Sequence, residues 1–219
     1  MRRHHHLVLL ACLLVLVLAA AAASPAKPKP SPSAAVARAI AVDFVRRSCR
    51  STRYPRVCES TLVPCADAVG RSPRRLARAA LVVSADRARN CSAYIRGGGG
   101  STAGGASKAG SGAMKDCSEL ARDAEERLRQ SAAEMERMGR AGTPRFAWSL
   151  SNVQTWASAA LTDTSTCLDS LAQAKGGGGG GGKEDRDAVK RRVVAVAQAT
   201  SNALALVNRL DPAPHRRLL

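Results

Sequence analysis

The sequence predicts an all-helical protein, with four long helices preceded by a short helical hairpin and stapled by disulfides. Three observations lead there. Small apolar residues recur by threes and fours over long stretches, which is helical spacing. No segment alternates with the period of a strand. Aromatic residues make up only 3% of the chain, so the core must be Ala, Val and Leu, which suit closely packed helices.

The N-terminus reads as a secretory leader. Arg2, Arg3 and three histidines precede an apolar run from Leu7 to Leu18, and Ala19 to Ala23 supply a small-residue cleavage site. The run is too short for a membrane span, which takes about 20 apolar residues. We therefore expect residues 1–23 to be a signal peptide, and the mature protein to be extracellular, with no membrane association. Cleavage removes Arg2 and Arg3 from 34 basic residues and leaves all 17 acids, so the mature net charge falls from +17 to +15. It also leaves His215 as the one histidine and six of the seven cysteines.

Residues 24–33 are rich in Pro, Lys and Ser and read as an extended linker. A single domain is expected over 34–212, with flexible Gly-rich inserts at 97–112 and 176–182. The first helical block runs from about Ala34 to Ser48, with Val36, Ile40 and Phe44 on one face. A turn leads to a short helix entered at Tyr54-Pro55, since proline is tolerated in a first helical turn. Ser72 is the predicted N-cap of the next helix, with Pro73 first inside it and an end near Arg96. The following block places Met114, Cys117, Ala121, Ala124, Leu128, Ala132, Met135 and Met138 on one seam. The next aligns Leu150, Val153, Ala157, Ala160, Thr164, Cys167 and Leu171. The last aligns Val189, Val193, Val196, Thr200, Ala203, Val207 and Leu210. Such seams are those of a helix bundle.

Six cysteines in a secreted chain point to disulfides, with fifteen connectivities open. A Cys49–Cys58 bridge would close the first turn as a hairpin, stabilising by roughly 2–3 kcal/mol. A Cys117–Cys167 tie would join two seams and contribute roughly 4 kcal/mol. Cys91 stands 18 residues beyond Pro73, about 27 Å along a helix, so Cys65 and Cys91 are expected to stay unpaired. Asn90-Cys91-Ser92 is a sequon, which makes Asn90 a candidate glycan acceptor.

Several stretches resemble one known family. Cys49…Thr52-Arg53-Tyr54-Pro55…Cys58 resembles the hairpin signature of the plant pectin methylesterase and invertase inhibitors. Asp116-Cys117-Ser118-Glu119-Leu120 resembles the second-helix motif of that family. The third-helix motif is echoed by Val153-Gln154-Thr155-Trp156-Ala157-Ser158-Ala159-Ala160-Leu161-Thr162…Thr166-Cys167-Leu168-Asp169. Ser201-Asn202-Ala203-Leu204-Ala205-Leu206 is similar to the last helix. The matches are in order and span residues 36–210. The resemblance implies an up-down-up-down four-helix bundle with an N-terminal helical hairpin, and the pairings Cys49–Cys58 and Cys117–Cys167. It also implies stoichiometric inhibition of a wall carbohydrate-active enzyme by covering its active-site cleft, without cofactor or covalent chemistry. The third-helix string looks more like the pectin methylesterase branch. Invertase is the alternative target, because Pro144-Arg145-Phe146 comes close to a Pro-Lys-Phe loop motif of invertase inhibitors and so marks a candidate loop contact. A second alternative is a helical wall-binding protein that does not inhibit.

Projected at about 100° per residue, Ser151, Thr155, Ser158, Thr162 and Asp169 fall opposite the seam of the fourth block. Exposed helical faces usually carry long charged residues. This one carries short hydroxyls, which lose little side-chain entropy on contact and can hydrogen-bond across an interface. It is the expected partner-binding face, flanked by Trp148 and Asn152. Trp156 falls beside the seam and reads as a core or boundary anchor. Glu125/Arg129 and Glu136/Arg140 read as solvated i,i+4 pairs.

The charge is uneven: residues 24–112 carry 16 bases and 4 acids, whereas 113–219 carry 16 and 13. Arg46, Arg47, Arg50, Arg53, Arg56, Arg71, Arg74, Arg75 and Arg78 make the hairpin end strongly positive. Secretion and the lack of an aromatic-interleaved basic motif argue against nucleic acid. Demethylated, acidic pectin is the polyanion such a protein would meet in a plant wall. An enzyme is disfavoured because the sequence offers no credible triad, metal set or phosphate loop. The glycine runs lack the lysine and hydroxyl ending of such a loop.

Overall fold

A computed structural model of the chain describes residues 31–98, 112–173 and 183–211. The leader 1–23, most of the linker, residues 99–111 of the first Gly-rich insert, the second insert and His215 lie outside the described residues. All regular structure among the described residues is helical. We label the helices α1 (Pro32–Cys49), α2 (Pro55–Leu62), α3 (Ala66–Val69), α4 (Pro73–Arg96), α5 (Gly112–Arg137), α6 (Pro144–Gln173) and α7 (Lys183–Asn208).

Two boundaries differ from expectation. The linker was expected to run extended to residue 33, but α1 begins at Pro32, where Ser31 caps it: the Ala34 N–H donates to Ser31 Oγ at 3.3 Å. These first residues, up to Ala35, form a unit apart from Val36 onward. The first Gly-rich insert was expected to reach 112, but Gly112 already opens α5.

From Val36 on, the four long helices close a ring in which α4 packs on α5, α5 on α6, α6 on α7 and α7 back on α4. This is an up-down-up-down bundle. Every seam residue predicted for α5 and α6 is buried, from Met114 to Met138 and from Leu150 to Leu171. The α7 seam is buried from Val189 to Val207, and Leu210 is half-buried. Many seam residues are alanines, so neighbouring backbones approach closely. The Cys117–Cys167 disulfide joins α5 to α6 with Cα atoms 4.7 Å apart.

At α4 the predicted cap is present. The Arg75 N–H donates to Ser72 Oγ at 3.3 Å, with Pro73 at the first helical position. Before it, α1 and α2 make the hairpin, closed by Cys49–Cys58 with Cα atoms 5.5 Å apart. Helix α2 packs on α4 and α7.

The face predicted for α1 needs correction. Val36 is 60% exposed and Ile40 45% exposed, while Phe44 is half-buried. The buried stripe is Ala41, Val45 and Cys49. Helix α1 meets the core only from Ala41 onward, so the apolar residues of its first turns are not buried against the described residues.

One predicted ion pair is also replaced. Arg129 Nε donates to Glu125 at 2.9 Å as expected, but Glu136 pairs with Arg78 of α4 rather than with Arg140. Helix α5 ends at Arg137, and Gly139 follows with φ +72°. That left-handed conformation, which suits glycine, turns Arg140 out of the i+4 position.

Cys65 and Cys91 are unpaired. Cys91 is 1% exposed, and burial pushes its thiol up to about 11. Thiolate is the reactive form, so an inert thiol is expected. Cys65 is only half-buried. Brief treatment of the native protein with iodoacetamide near neutral pH should label Cys65 well before Cys91, with Cys91 reacting only after denaturation. Peptide mass analysis reads this directly, and equal native labelling would show that α4 opens readily.

Candidate partner-binding face

Helix α6 begins where two local signals agree. The Phe146 N–H donates to Thr143 Oγ1 at 3.2 Å, and Pro144 fills the first helical position. Gly139 and Gly142, both at positive φ, let the chain reverse between α5 and α6. Pro144-Arg145-Phe146 was expected in a loop, and that placement needs correction, although Pro144 and Arg145 are exposed. All three residues lie in the first turn of α6, and Phe146 is 3% exposed in the core. The Arg74 guanidinium sits over its ring, 5.8 Å from the centroid. Arg145 is turned back as well, its Nε donating to the Arg137 carbonyl at 3.1 Å.

The seam of α6 is fully used against α5 and α7. On the opposite side Trp148, Ser151, Thr155, Ser158 and Thr162 are exposed, at successive steps of three and four. Trp148, at 71%, is one of three large apolar side chains exposed among the described residues. The hydroxyls of Ser151, Thr155 and Ser158 make no side-chain hydrogen bond among the described residues, so they remain available. Thr162 Oγ1 donates back to the Ser158 carbonyl at 3.3 Å. Asn152 is half-buried at the edge of the face, and Trp156 is half-buried beside the seam. The row continues through Ser165 and Thr166, both exposed. The projection from sequence passed over these two between Thr162 and Asp169, although the same three/four step would have found them.

Charge is almost absent from this surface. Asp163 lies off the face. Its carboxylate accepts from Arg127 Nε at 3.0 Å, and burial still pushes its pKa above the ordinary value. Asp169 is exposed one turn beyond Thr166. Among the described residues no group of three His, Cys, Asp or Glu side chains could hold a metal ion, and no helix is long and apolar enough to cross a membrane. Asn90 lies exposed on α4, while Ser92 of the same sequon is buried and donates to the Arg89 carbonyl at 3.0 Å.

One positioning residue went unread in the sequence. Asn202, 2% exposed on α7, accepts from the Tyr54 N–H at 3.0 Å and donates to the Tyr54 carbonyl at 2.9 Å. It thereby satisfies both backbone groups at the entrance of α2, where Tyr54 itself offers no side-chain cap. Its partner is 148 residues away, so no local pattern announces it. Replacing Asn202 by Ala leaves two backbone groups unpaired in a half-buried site. A loss of about 1–3 kcal/mol is expected, with faster amide exchange concentrated in residues 50–58. Unchanged protection of the hairpin would show that Cys49–Cys58 suffices to hold it.

The described residues thus form a stapled bundle of four long helices, one of which presents an uncharged hydroxyl face. The family description plant invertase/pectin methylesterase inhibitor matches residues 43–206. The chain is 36% identical over 169 residues to pectinesterase inhibitor 11 of Arabidopsis thaliana, covering 77% of this chain and 80% of that protein. It is 38% identical over 174 residues to pectinesterase inhibitor 9 of the same plant, covering 78% and 82%. It is 37% identical over 170 residues to a 21 kDa protein of Daucus carota, covering 78% and 84%. The chain belongs to the plant invertase/pectin methylesterase inhibitor family.

Proposed function

We propose that this protein is a secreted, non-enzymatic inhibitor of plant pectin methylesterase. It forms a reversible one-to-one complex that covers the active-site cleft of the enzyme and so regulates pectin methylesterification in the wall. The observation that carries the reading is the uncovered face of Ser151, Thr155, Ser158 and Thr162, flanked by Trp148 and Asn152. Such a surface is flat, sheds little entropy on docking and brings unspent hydroxyls to an interface. Trp148 supplies the aromatic anchor that interface centres commonly carry. The names of the relatives support a pectin methylesterase as target. Invertase was favoured mainly by Pro144-Arg145-Phe146, and burial of Phe146 weakens that argument. Secretion is supported by the leader-like residues 1–23 and by two disulfides, which persist in oxidising compartments. Association of the basic half with acidic pectin would hold the protein where its target works.

The test is a titration of the oxidised protein against a plant pectin methylesterase and, in parallel, a cell-wall invertase. Saturable loss of esterase activity near one inhibitor per enzyme, with invertase untouched, is expected. Loss of invertase activity alone would transfer the reading to that enzyme. Loss of neither, from folded protein with both disulfides formed, would leave a bundle that binds the wall without inhibiting.

A further inference from the structure

The arginines of the basic half differ in what they engage. Arg38 pairs with Asp67, Arg47 with Asp43, Arg78 with Glu136 and Arg89 with Asp86. Arg74 donates to the Gly139 carbonyl, and Arg87 donates to the Ala195 carbonyl at 3.1 Å. These six are engaged within the protein. Arg46, Arg50, Arg53 and Arg56 are exposed, as are Arg71, Arg75 and Arg96, and none of the seven pairs with a carboxylate among the described residues; the first four are the ones that cluster. They fall within 11 residues, wrapped around the Cys49–Cys58 bond.

We infer that this disulfide-closed hairpin, through Arg46, Arg50, Arg53 and Arg56, is a binding surface for a linear polyuronate, the carboxylate-bearing polymer that de-esterification of pectin leaves. The identity of the polyanion rests on the pectin reading above; the surface itself does not.

Four features support the assignment. The hairpin is rigidly presented. Asn202 clamps Tyr54, and Arg209 of the segment after α7 donates to the Ser48 carbonyl at 3.0 Å and to Ser51 Oγ at 2.7 Å. Arg209 thereby brings a fifth cation to the same end. All the cations are arginine, whose planar fork matches a carboxylate with two parallel hydrogen bonds. A single exposed ion pair contributes little, whereas a polymer that repeats a carboxylate meets several guanidiniums with one loss of freedom. The surface also lacks stacking platforms: its one aromatic, Tyr54, is half-buried with Arg53 lying over it, 5.8 Å from the ring centroid. Nucleic-acid surfaces of this kind add aromatic stacking for the bases; a polyuronate has none to stack. None of these arginines belongs to the α6 face, so polymer and enzyme can be bound by different residues.

The experiment measures binding of the full protein to de-esterified polygalacturonate and to a series of increasingly methyl-esterified pectins, across a range of salt. The wild type should bind more weakly as esterification rises. Arg46→Gln, Arg50→Gln, Arg53→Gln and Arg56→Gln together should weaken polygalacturonate binding about tenfold or more at low salt. They should also flatten the slope of log affinity against log salt by about 3, close to 0.7 per lost contact on a single-stranded polyanion. Inhibition by the folded quadruple variant should be unchanged. Wild-type binding indifferent to esterification would overturn the inference, as would a folded quadruple variant that binds normally. Tighter binding to single-stranded DNA than to polygalacturonate of equal charge would overturn it in favour of nucleic acid. The esterification series uses only wild-type protein, so the inference stays exposed to refutation even if the quadruple variant fails to fold. Failure here with inhibition intact would leave the proposed function standing, and the reverse outcome would leave the polyuronate surface standing.

Discussion

Thr155→Glu is expected to weaken inhibition at least about a hundredfold while leaving the melting temperature nearly unchanged. Thr155 is exposed in the middle of the hydroxyl row, with Ser151 and Ser158 on either side along the face. Glutamate is a good helix former, and an exposed substitution of this kind usually shifts stability by no more than about 0.5 kcal/mol. At a docked interface the same carboxylate would lose its water without gaining a partner. A buried, unpaired charge in a complex costs about 2–5 kcal/mol, and 1.4 kcal/mol is roughly tenfold in affinity. Thr155→Ser keeps the hydroxyl and should inhibit almost as the wild type does. Exposed Arg122→Glu, on α5, changes charge by more and should matter less. A folded Thr155→Glu protein that inhibits normally would move the interface off α6.

How much of this was legible in the sequence depends on how local each cause is. The seams of α5 and α6 were fully legible, because each helix packs against two neighbours and a buried stripe must then recur every three or four residues. The cap at Ser72 and Pro73 was legible for the same kind of reason: both groups act within one turn. The face of α1 was misread because an apolar period says which residues could pack together and not whether a neighbour exists. Val36 and Ile40 have the right spacing but stay exposed, outside the core formed by the described residues. At Pro144 two local signals competed. Likeness to a loop motif suggested an exposed contact, while Thr143 followed by proline is a helix start that puts Phe146 into the core. The hydroxyl face could be projected onto one side of a helix, yet its exposure depended on where α5 and α7 lie. Asn202 was beyond reach, because its partner is a backbone unit in the hairpin at the other end of the sequence.

Cys117→Ala with Cys167→Ala should lower stability by about 4 kcal/mol, and Cys49→Ala with Cys58→Ala by about 2–3 kcal/mol. The order is the informative part. All four sulfurs sit in residues no more than 1% exposed, so the packing removed with each pair is similar. What differs is the loop each bond closes, with separations of 50 and 9 residues. If the bonds act mainly by restricting the unfolded chain, that difference is worth about 1.5 kcal/mol in favour of the longer loop. For a protein of this size, about 2–4 °C of melting temperature follows each kcal/mol. The bundle variant should therefore melt about 3–6 °C below the hairpin variant, as calorimetry of the two would show. Equal melting temperatures would mean that the entropic account fails here. A lower melting temperature for the hairpin variant would mean that the Cys49–Cys58 bond carries more than a nine-residue closure can. In that case the docking of α2 onto α4 and α7 would depend on it, and the hydrogen bonds that Asn202 and Arg209 make to the hairpin would break with it.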